Sequence, residues 1–204
     1  FAEGGREFVL LGLRNGTAIV EITNPVAPLY LGKLSGSRRI WRDIETYQRH
    51  MYVASEAFAH GIQVFDLGPV FGVGAPPVEF QEALRYRGEN LGSAHTLSIN
   101  EASGFLYASG SDTCNGGLHM VDIRSPEEPR FAGCFATDGY THDAQCLSYD
   151  GPDPDYRGRE ICFASNEDTL TVVDVTDKAA PRMVSRTSYE GVGYIHQTWV
   201  TADK

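Results

Sequence analysis

One seven-residue phrase recurs four times along the chain, as Gly16-Thr17-Ala18-Ile19-Val20-Glu21-Ile22, Gly61-Ile62-Gln63-Val64-Phe65-Asp66-Leu67, Gly117-Leu118-His119-Met120-Val121-Asp122-Ile123 and Thr169-Leu170-Thr171-Val172-Val173-Asp174-Val175. Its acidic member falls at positions 21, 66, 122 and 174, giving spacings of 45, 56 and 52 residues. Periods of this length belong to supersecondary units that cannot bury their apolar faces alone and must stack on their neighbours. In three copies a proline-bearing turn and a further apolar run follow, at 24–31, 125–135 and 177–187. Proline lacks an N–H and fixes φ, so it ends strand pairing, and each copy reads as strand, turn, strand.

A second apolar run precedes every phrase, at 7–11, 50–54, 104–108 and 160–164, and before the last three lies another, at 41–46, 94–99 and 141–146. Four short strands per repeat make a blade. The expected fold is therefore all-β, a β-propeller of four-stranded antiparallel blades. The blades fall at about 7–35, 41–91, 94–138 and 141–190, and 194–200 reads as the first strand of a further one. That last strand either closes a four-bladed ring by completing the opening blade or begins the next blade of a larger propeller. Composition agrees with many short strands: 22 glycines, 10 prolines and 20 Tyr and Phe, with almost no helix-favouring runs.

A formal charge of −10 argues against a nucleic-acid surface, because such affinity comes from clustered Lys and Arg releasing counterions. Arg38, Arg39 and Arg42 form the one short basic cluster and read as a solvated loop. No apolar run approaches the ~20 residues that cross a bilayer, and no signal peptide is evident. The start at Phe1 reads as a mature or trimmed chain. The four cysteines, Cys114, Cys134, Cys146 and Cys162, contain no Cys-x-x-Cys and fit a disulfide pair in an oxidising compartment. Cys146 and Cys162 flank a loop at 148–158 that returns the chain antiparallel to itself, so a cross-strand bridge is feasible there. Cys114 and Cys134 are left as the second pair, with the other two connectivities and free buried thiols still open. Asn15-Gly16-Thr17 matches a glycosylation sequon and also reads as a bare turn.

Several stretches, 117–123, 140–146, 158–163 and 166–178, closely resemble the choice-of-anchor B family of bacterial extracellular proteins, whose propellers contain LVIVD-type repeats. The resemblance is most specific over 141–178 and loosest over 70–88, which reads as a variable loop. It implies a secreted or cell-surface protein, further blades beyond those seen here, and an anchor elsewhere. It implies no particular reaction.

For chemistry, one pattern stands out. A histidine recurs at the head of the first strand, as His95, His142 and His196, with Arg42 at the matching place in an earlier repeat. First strands line a propeller's central tunnel, so three imidazoles would face one axis, joined by Asp43 and Asp143. Converging imidazoles and carboxylates hold transition metals, whereas carboxylates and carbonyls alone suit calcium. The competing reading is that each histidine hydrogen-bonds the neighbouring blade and repeats because the blade repeats. His119 reads as a packing residue within a strand, and His50 and His60 as surface turns. Glu21, Asp66, Asp122 and Asp174 read as turn caps, and the acidic loop at 150–155 as a solvated hairpin rather than a calcium loop. Ser109 and Ser111 have no evident partner base, and no Gly-x-Ser-x-Gly turn, phosphate loop or dinucleotide fingerprint occurs. The leading expectation is a non-enzymatic display, binding or structural module with a protein or polysaccharide partner. A metal-dependent enzyme or metal carrier using the tunnel histidines is the alternative, and self-assembly into a calcium-dependent filament is the third reading.

Overall fold

The repeat becomes four sheets in the structure, a computed structural model that describes residues 1–201. In chain order the strands are β1 (Ala2–Glu3), β2 (Arg6–Leu13), β3 (Gly16–Glu21), β4 (Leu29–Ser35), β5 (Arg42–Tyr47), β6 (His50–Ser55), β7 (Ile62–Asp66), β8 (Val78–Phe80) and β9 (Leu84–Tyr86). They continue as β10 (Thr96–Asn100), β11 (Phe105–Ser109), β12 (Leu118–Asp122), β13 (Arg130–Phe135), β14 (Asp143–Ser148), β15 (Glu160–Ser165), β16 (Leu170–Asp174) and β17 (Arg182–Thr187). The sheet orders are β1-β2-β3-β4-β8, β5-β6-β7-β9, β10-β11-β12-β13 and β14-β15-β16-β17. Every pairing is antiparallel except that of β4 with β8. The stretch at 70–88, read above as a variable loop, is thus corrected. It supplies β8 to the outer edge of the first sheet and β9 to the outer edge of the second.

The recurring phrase forms the third strand of each sheet, and its repetition extends to backbone irregularity. Register slips by one residue at Ile19/Val20, Met120/Val121 and Val172/Val173, always just before the acidic residue. The extra residue is Leu31, Ala132 or Val184, on the fourth strand, and a bulge there bends that strand and increases its twist. The acid caps the turn after the third strand: Asp66, Asp122 and Asp174 accept from the N–H of Gly68, Arg124 and Thr176 at 2.8, 3.0 and 3.0 Å. Glu21, one methylene longer, instead takes the Thr23 hydroxyl at 3.0 Å and a two-pronged hydrogen bond from Arg6.

Apolar side chains fill three layers, one between each pair of consecutive sheets. Ile19, Leu31, Leu34, Met51, Val53 and Phe65 pack in the first, Tyr52, Val64, Tyr86, Leu106 and Val121 in the second, and Tyr107, Leu118, Met120, Cys146, Cys162 and Val173 in the third. β6 and β11 are buried on both faces, so alternate residues serve different layers, and the sequence there is a continuous apolar run. Glycine permits the closest approach: a Cβ on Gly133 of β13 would stand 1.7 Å from the carbonyl oxygen of Lys178, so the turn after β16 lies directly on the third sheet.

Two disulfides close the third and fourth sheets, Cys114–Cys134 and Cys146–Cys162. The second joins residues directly opposite one another in β14 and β15. No helix among the described residues is long and apolar enough to cross a membrane. The disulfides and the all-β architecture fit a secreted protein.

Candidate functional site

β5, β10 and β14, the first strands of the second to fourth sheets, stand side by side without backbone pairing between them. Side chains bridge the gaps. Asp43 Oδ2 accepts from Leu97 N at 2.6 Å, Thr96 Oγ1 donates to the His142 carbonyl at 2.9 Å, and Ser98 Oγ accepts from Cys146 N at 3.3 Å. The series continues past β14, where Gln145 Oε1 accepts from Val200 N at 2.6 Å. Residues 196–199 are thereby held beside β14 as the next member of the row. A cavity of about 300 Å³ opens onto this row, walled by Asp43, Glu45, His142, Asp143 and the rings of Trp41 and Trp199.

Of the sequence-predicted residues, His95, His142 and His196 do come together. Their ring centroids are 4.5 Å apart for the first pair and 4.2 Å for the second. His95 stacks on Trp41 at 4.4 Å with the planes 5° apart. The rings form a hydrogen-bonded row rather than a converging ligand set: His95 Nδ1 meets Glu56 Oε1 at 2.8 Å, His95 Nε2 meets His142 Nε2 at 3.0 Å, and His142 Nδ1 meets the His196 carbonyl at 2.8 Å. Both nitrogens of His95 and of His142 are therefore engaged with protein. Among the described residues no group of three or more His, Cys, Asp or Glu is placed to hold a metal ion.

Arg42 leaves the row. Its Nε donates to the Leu13 carbonyl at 2.8 Å, and its two terminal nitrogens reach the Ser37 carbonyl and His60 Nε2, tying the first sheet to the second. His60, expected at the surface, is corrected to a fully buried residue. His60 Nδ1 donates to the Gly61 carbonyl at 2.8 Å, and its Nε2 lies 3.0 Å from Arg42 and 3.1 Å from Gln63 Oε1. Burial, opposed by the Gly61 hydrogen bond, leaves His60 below the usual imidazole range. His119 is likewise buried, between the Thr113 hydroxyl and the Tyr86 hydroxyl at 2.9 and 3.1 Å, and desolvation pushes it down to about 4. His50 bonds the Gln48 carbonyl at 2.9 Å in a turn. Ser109 Oγ is buried with no hydrogen-bond partner, so no base activates it.

The carboxylates of the cavity depart from ordinary behaviour. Burial raises Asp43, against hydrogen bonds from Leu97 and Ile44 that lower it, and Asp143 raises it further. Burial and the neighbouring Asp43 push Glu45 up to about 7. Glu45 was not singled out from sequence, although it lies two residues from Asp43 and therefore shares its face of β5. Glu56 had no signal at all, since a loop brings it to His95.

The rise at Glu45 sets a pH test. Its folded value lies above the unfolded one, so the carboxyl favours folding while protonated, and that advantage is lost as pH climbs from the ordinary carboxyl range through about 7. Glu45→Gln is expected to be more stable than the parent by about 1–2 kcal/mol at pH 8, after allowance for solvent screening. At pH 5 the two should be nearly equal. Urea unfolding at both pH values measures the difference.

The fold and the site together define an all-β repeat protein in which the first strands of the second, third and fourth sheets line a common cavity. No protein-family model matches the chain. No curated protein matches it either. Among solved structures, it is similar to a chain in the crystal structure of a nidogen/laminin complex, with a TM-score of 0.50 and 12% identity, over 92% of this chain and 63% of that one. At that identity the likeness concerns the fold alone, and this chain spans less than two thirds of the other's length.

Proposed function

We propose that the four sheets are consecutive blades of a secreted β-propeller, and that it works as a non-enzymatic binding module with its ligand site at the mouth of the first strands. The observation that carries this reading is the cavity itself, walled by corresponding positions of successive repeats and set among side chains already committed to bridging those repeats. Rigid blades holding loops on one plane suit recognition, and the site offers hydrogen bonds and aromatic faces without an activated nucleophile.

Blade-like stacking is supported by the bulge that recurs in the fourth strands of three sheets, by the acid that caps the turn after the third strands, and by the three apolar layers between consecutive sheets. The far faces of the first and last sheets remain apolar: Val9, Leu11 and Tyr30 are exposed on one, and Phe163, Val172 and Val184 line a shallow groove on the other. Further blades of a larger ring would cover them in the way that each inner layer is covered. The resemblance of 141–178 to choice-of-anchor B proteins supports the same architecture and a place at the cell surface.

The test is binding to a panel of immobilised cell-surface polysaccharides and secreted proteins, comparing the parent with an Asp43→Asn, Glu45→Gln, Asp143→Asn triple variant. The expected result is a captured partner whose affinity falls at least ~10-fold in the variant, as for loss of several polar anchors. Undiminished capture by the folded variant would move the site elsewhere. Turnover of a substrate abolished by the same substitutions would make the protein an enzyme and refute the reading.

A further inference from the structure

We infer that the cavity at the mouth of the first strands takes a neutral sugar unit, packed by one face on the Trp199 indole and held through its hydroxyls. This rests on the binding role proposed above and names the chemistry of the ligand. The walls carry three carboxyls, two side-chain amides and three hydroxyls, together with two indoles. Such a lining mixes flat apolar surface with groups that accept and groups that donate. A sugar ring has the matching surface, apolar C–H faces bordered by hydroxyls that do both. The cavity, about 300 Å³, is at the small end of the range for small-molecule sites and suits a mono- or disaccharide unit.

Charge selects among sugars. Among the described residues no Lys or Arg lines the cavity, and Arg42 turns away to the Leu13 and Ser37 carbonyls and His60. A phosphate, sulfate or uronic carboxylate would therefore meet only like charge there. A hydroxyl does the reverse, because it donates to a carboxylate in a charge-assisted bond roughly twice as strong as a neutral one. The acceptors are fixed before any ligand arrives. Asp43 Oδ2 is held by Leu97 N at 2.6 Å and Asp143 Oδ1 by Ala144 N at 2.9 Å, and a carboxylate has lone pairs enough to accept further bonds. Gln145 Oε1 is held by Val200 N at 2.6 Å, which orients the amide and leaves its N–H groups as donors.

The two indoles differ in what the fold has already done with them. Trp41 donates from Nε1 to the His95 carbonyl at 2.6 Å and has one face covered by the His95 ring, 4.4 Å away and within 5° of parallel. Trp199 is 82% exposed, although Val200 beside it is pinned to β14. A large ring left uncovered against a cavity is a contact surface awaiting a partner. The electron-rich indole face attracts the weakly positive C–H face of a sugar, and covering it removes apolar surface from water. An alkyl ligand would cover the ring equally well but would strand the three carboxyls without partners, at the desolvation cost of each. The ring and the polar walls are satisfied together by a neutral sugar.

The chain has two tryptophans, and both line this cavity, so intrinsic fluorescence of the whole chain reports occupancy. The test titrates it with neutral gluco-, galacto-, manno- and xylo-oligosaccharides, and in parallel with a uronic-acid oligosaccharide and a lysine-rich peptide; calorimetry measures the variants. At least one neutral series should give a saturable change, and the uronic-acid oligosaccharide should bind at least ~10-fold more weakly. Trp199→Ala should weaken the neutral sugar at least ~10-fold, and Trp199→Phe, which keeps an aromatic face, should recover most of that loss. Because the ring is exposed, both variants should keep the parent's circular dichroism and urea midpoint. Failure of every neutral series to bind, or a sugar affinity unchanged in folded Trp199→Ala, overturns the inference. Binding of the peptide or the uronic-acid oligosaccharide in place of a neutral sugar, lost in Trp199→Ala, also overturns it but leaves the binding role standing. That role fails separately, by undiminished capture in the triple carboxylate variant.

Discussion

Replacing Glu160 by alanine is expected to destabilise the protein by about 3–5 kcal/mol, the range for breaking a buried ion pair by removing one partner. Glu160 opens β15, and its carboxyl is the polar centre of the interface between the third and fourth sheets. One oxygen accepts from Asn100, Ser103 and the Tyr107 hydroxyl at 2.8, 2.6 and 2.6 Å, and the other is 2.8 Å from Lys178 Nζ. Lys178 also lies over the Phe105 ring, 4.1 Å from its centre. Removing the carboxylate leaves an ammonium and three donors facing each other in a dry layer, and each orphaned group loses its solvation without compensation. The effect should appear as a lower urea midpoint with an unchanged slope.

Two controls separate the charge from the packing. Lys178→Met alone should cost a similar amount, because it strands the carboxylate. Glu160→Gln combined with Lys178→Met should cost much less than the sum, since the pair is directly coupled. The pH dependence has a definite sign. Burial would raise the Glu160 carboxyl, but hydrogen bonds from Lys178, Ser103, Tyr107 and Asn100 outweigh it and hold the group below the usual carboxylate range. Its contribution is therefore complete above the ordinary carboxyl pKa and is lost as pH falls through the depressed folded value. The gap between parent and Glu160→Ala should narrow below about pH 4. A gap that stays constant across that range would show that the carboxylate's charge is not what matters.

Removing the Cys146–Cys162 bridge, by substituting both residues with alanine, should cost about 3 kcal/mol through loop entropy, as expected for a closed loop of this order. The two cysteines are 16 residues apart, and both are buried in the layer that also contains Tyr107 and Val173. Loss of the sulfur atoms adds a small packing defect to the entropic term. For a chain of this size a change of about 3 kcal/mol lowers Tm by roughly 6–12 °C. Reducing the parent with dithiothreitol should lower it at least as far, because that also opens Cys114–Cys134. A double variant that melts with the parent under oxidising conditions would mean that the bridge contributes nothing to the folded state.

The repeat was the most legible part of the chain because its signals are local. Alternating apolar residues, prolines after the third strand and an acid ahead of each turn all act within a few residues of themselves. The capping role of Asp66, Asp122 and Asp174 follows from that short reach, two residues from side chain to N–H. The histidine pattern was legible too, since repeats place equivalent residues at equivalent heights. Its chemistry was not. How the three rings are arranged depends on their orientation and on Glu56, which a loop delivers to His95 from 39 residues away.

Other departures have the same cause. The segment at 70–88 lacked a copy of the repeat's turn and so looked like a loop, yet its short strands β8 and β9 find edges of two different sheets. His60 looked like a surface turn because its neighbours are turn residues, but Arg42 and Gln63 close over it. The sequence by itself determined the all-β class, the period, the strand-turn-strand grammar and the residues that stand at the head of each first strand. Only the tertiary structure decided which sheet edge each extra strand joins, which histidines are buried, and that His95 meets His142 ring to ring while His196 joins through its backbone carbonyl. Local order comes from interactions between near neighbours in the chain, whereas the site is made by contacts between residues about 40 to 55 apart, whose relative placement exists only once the sheets have stacked.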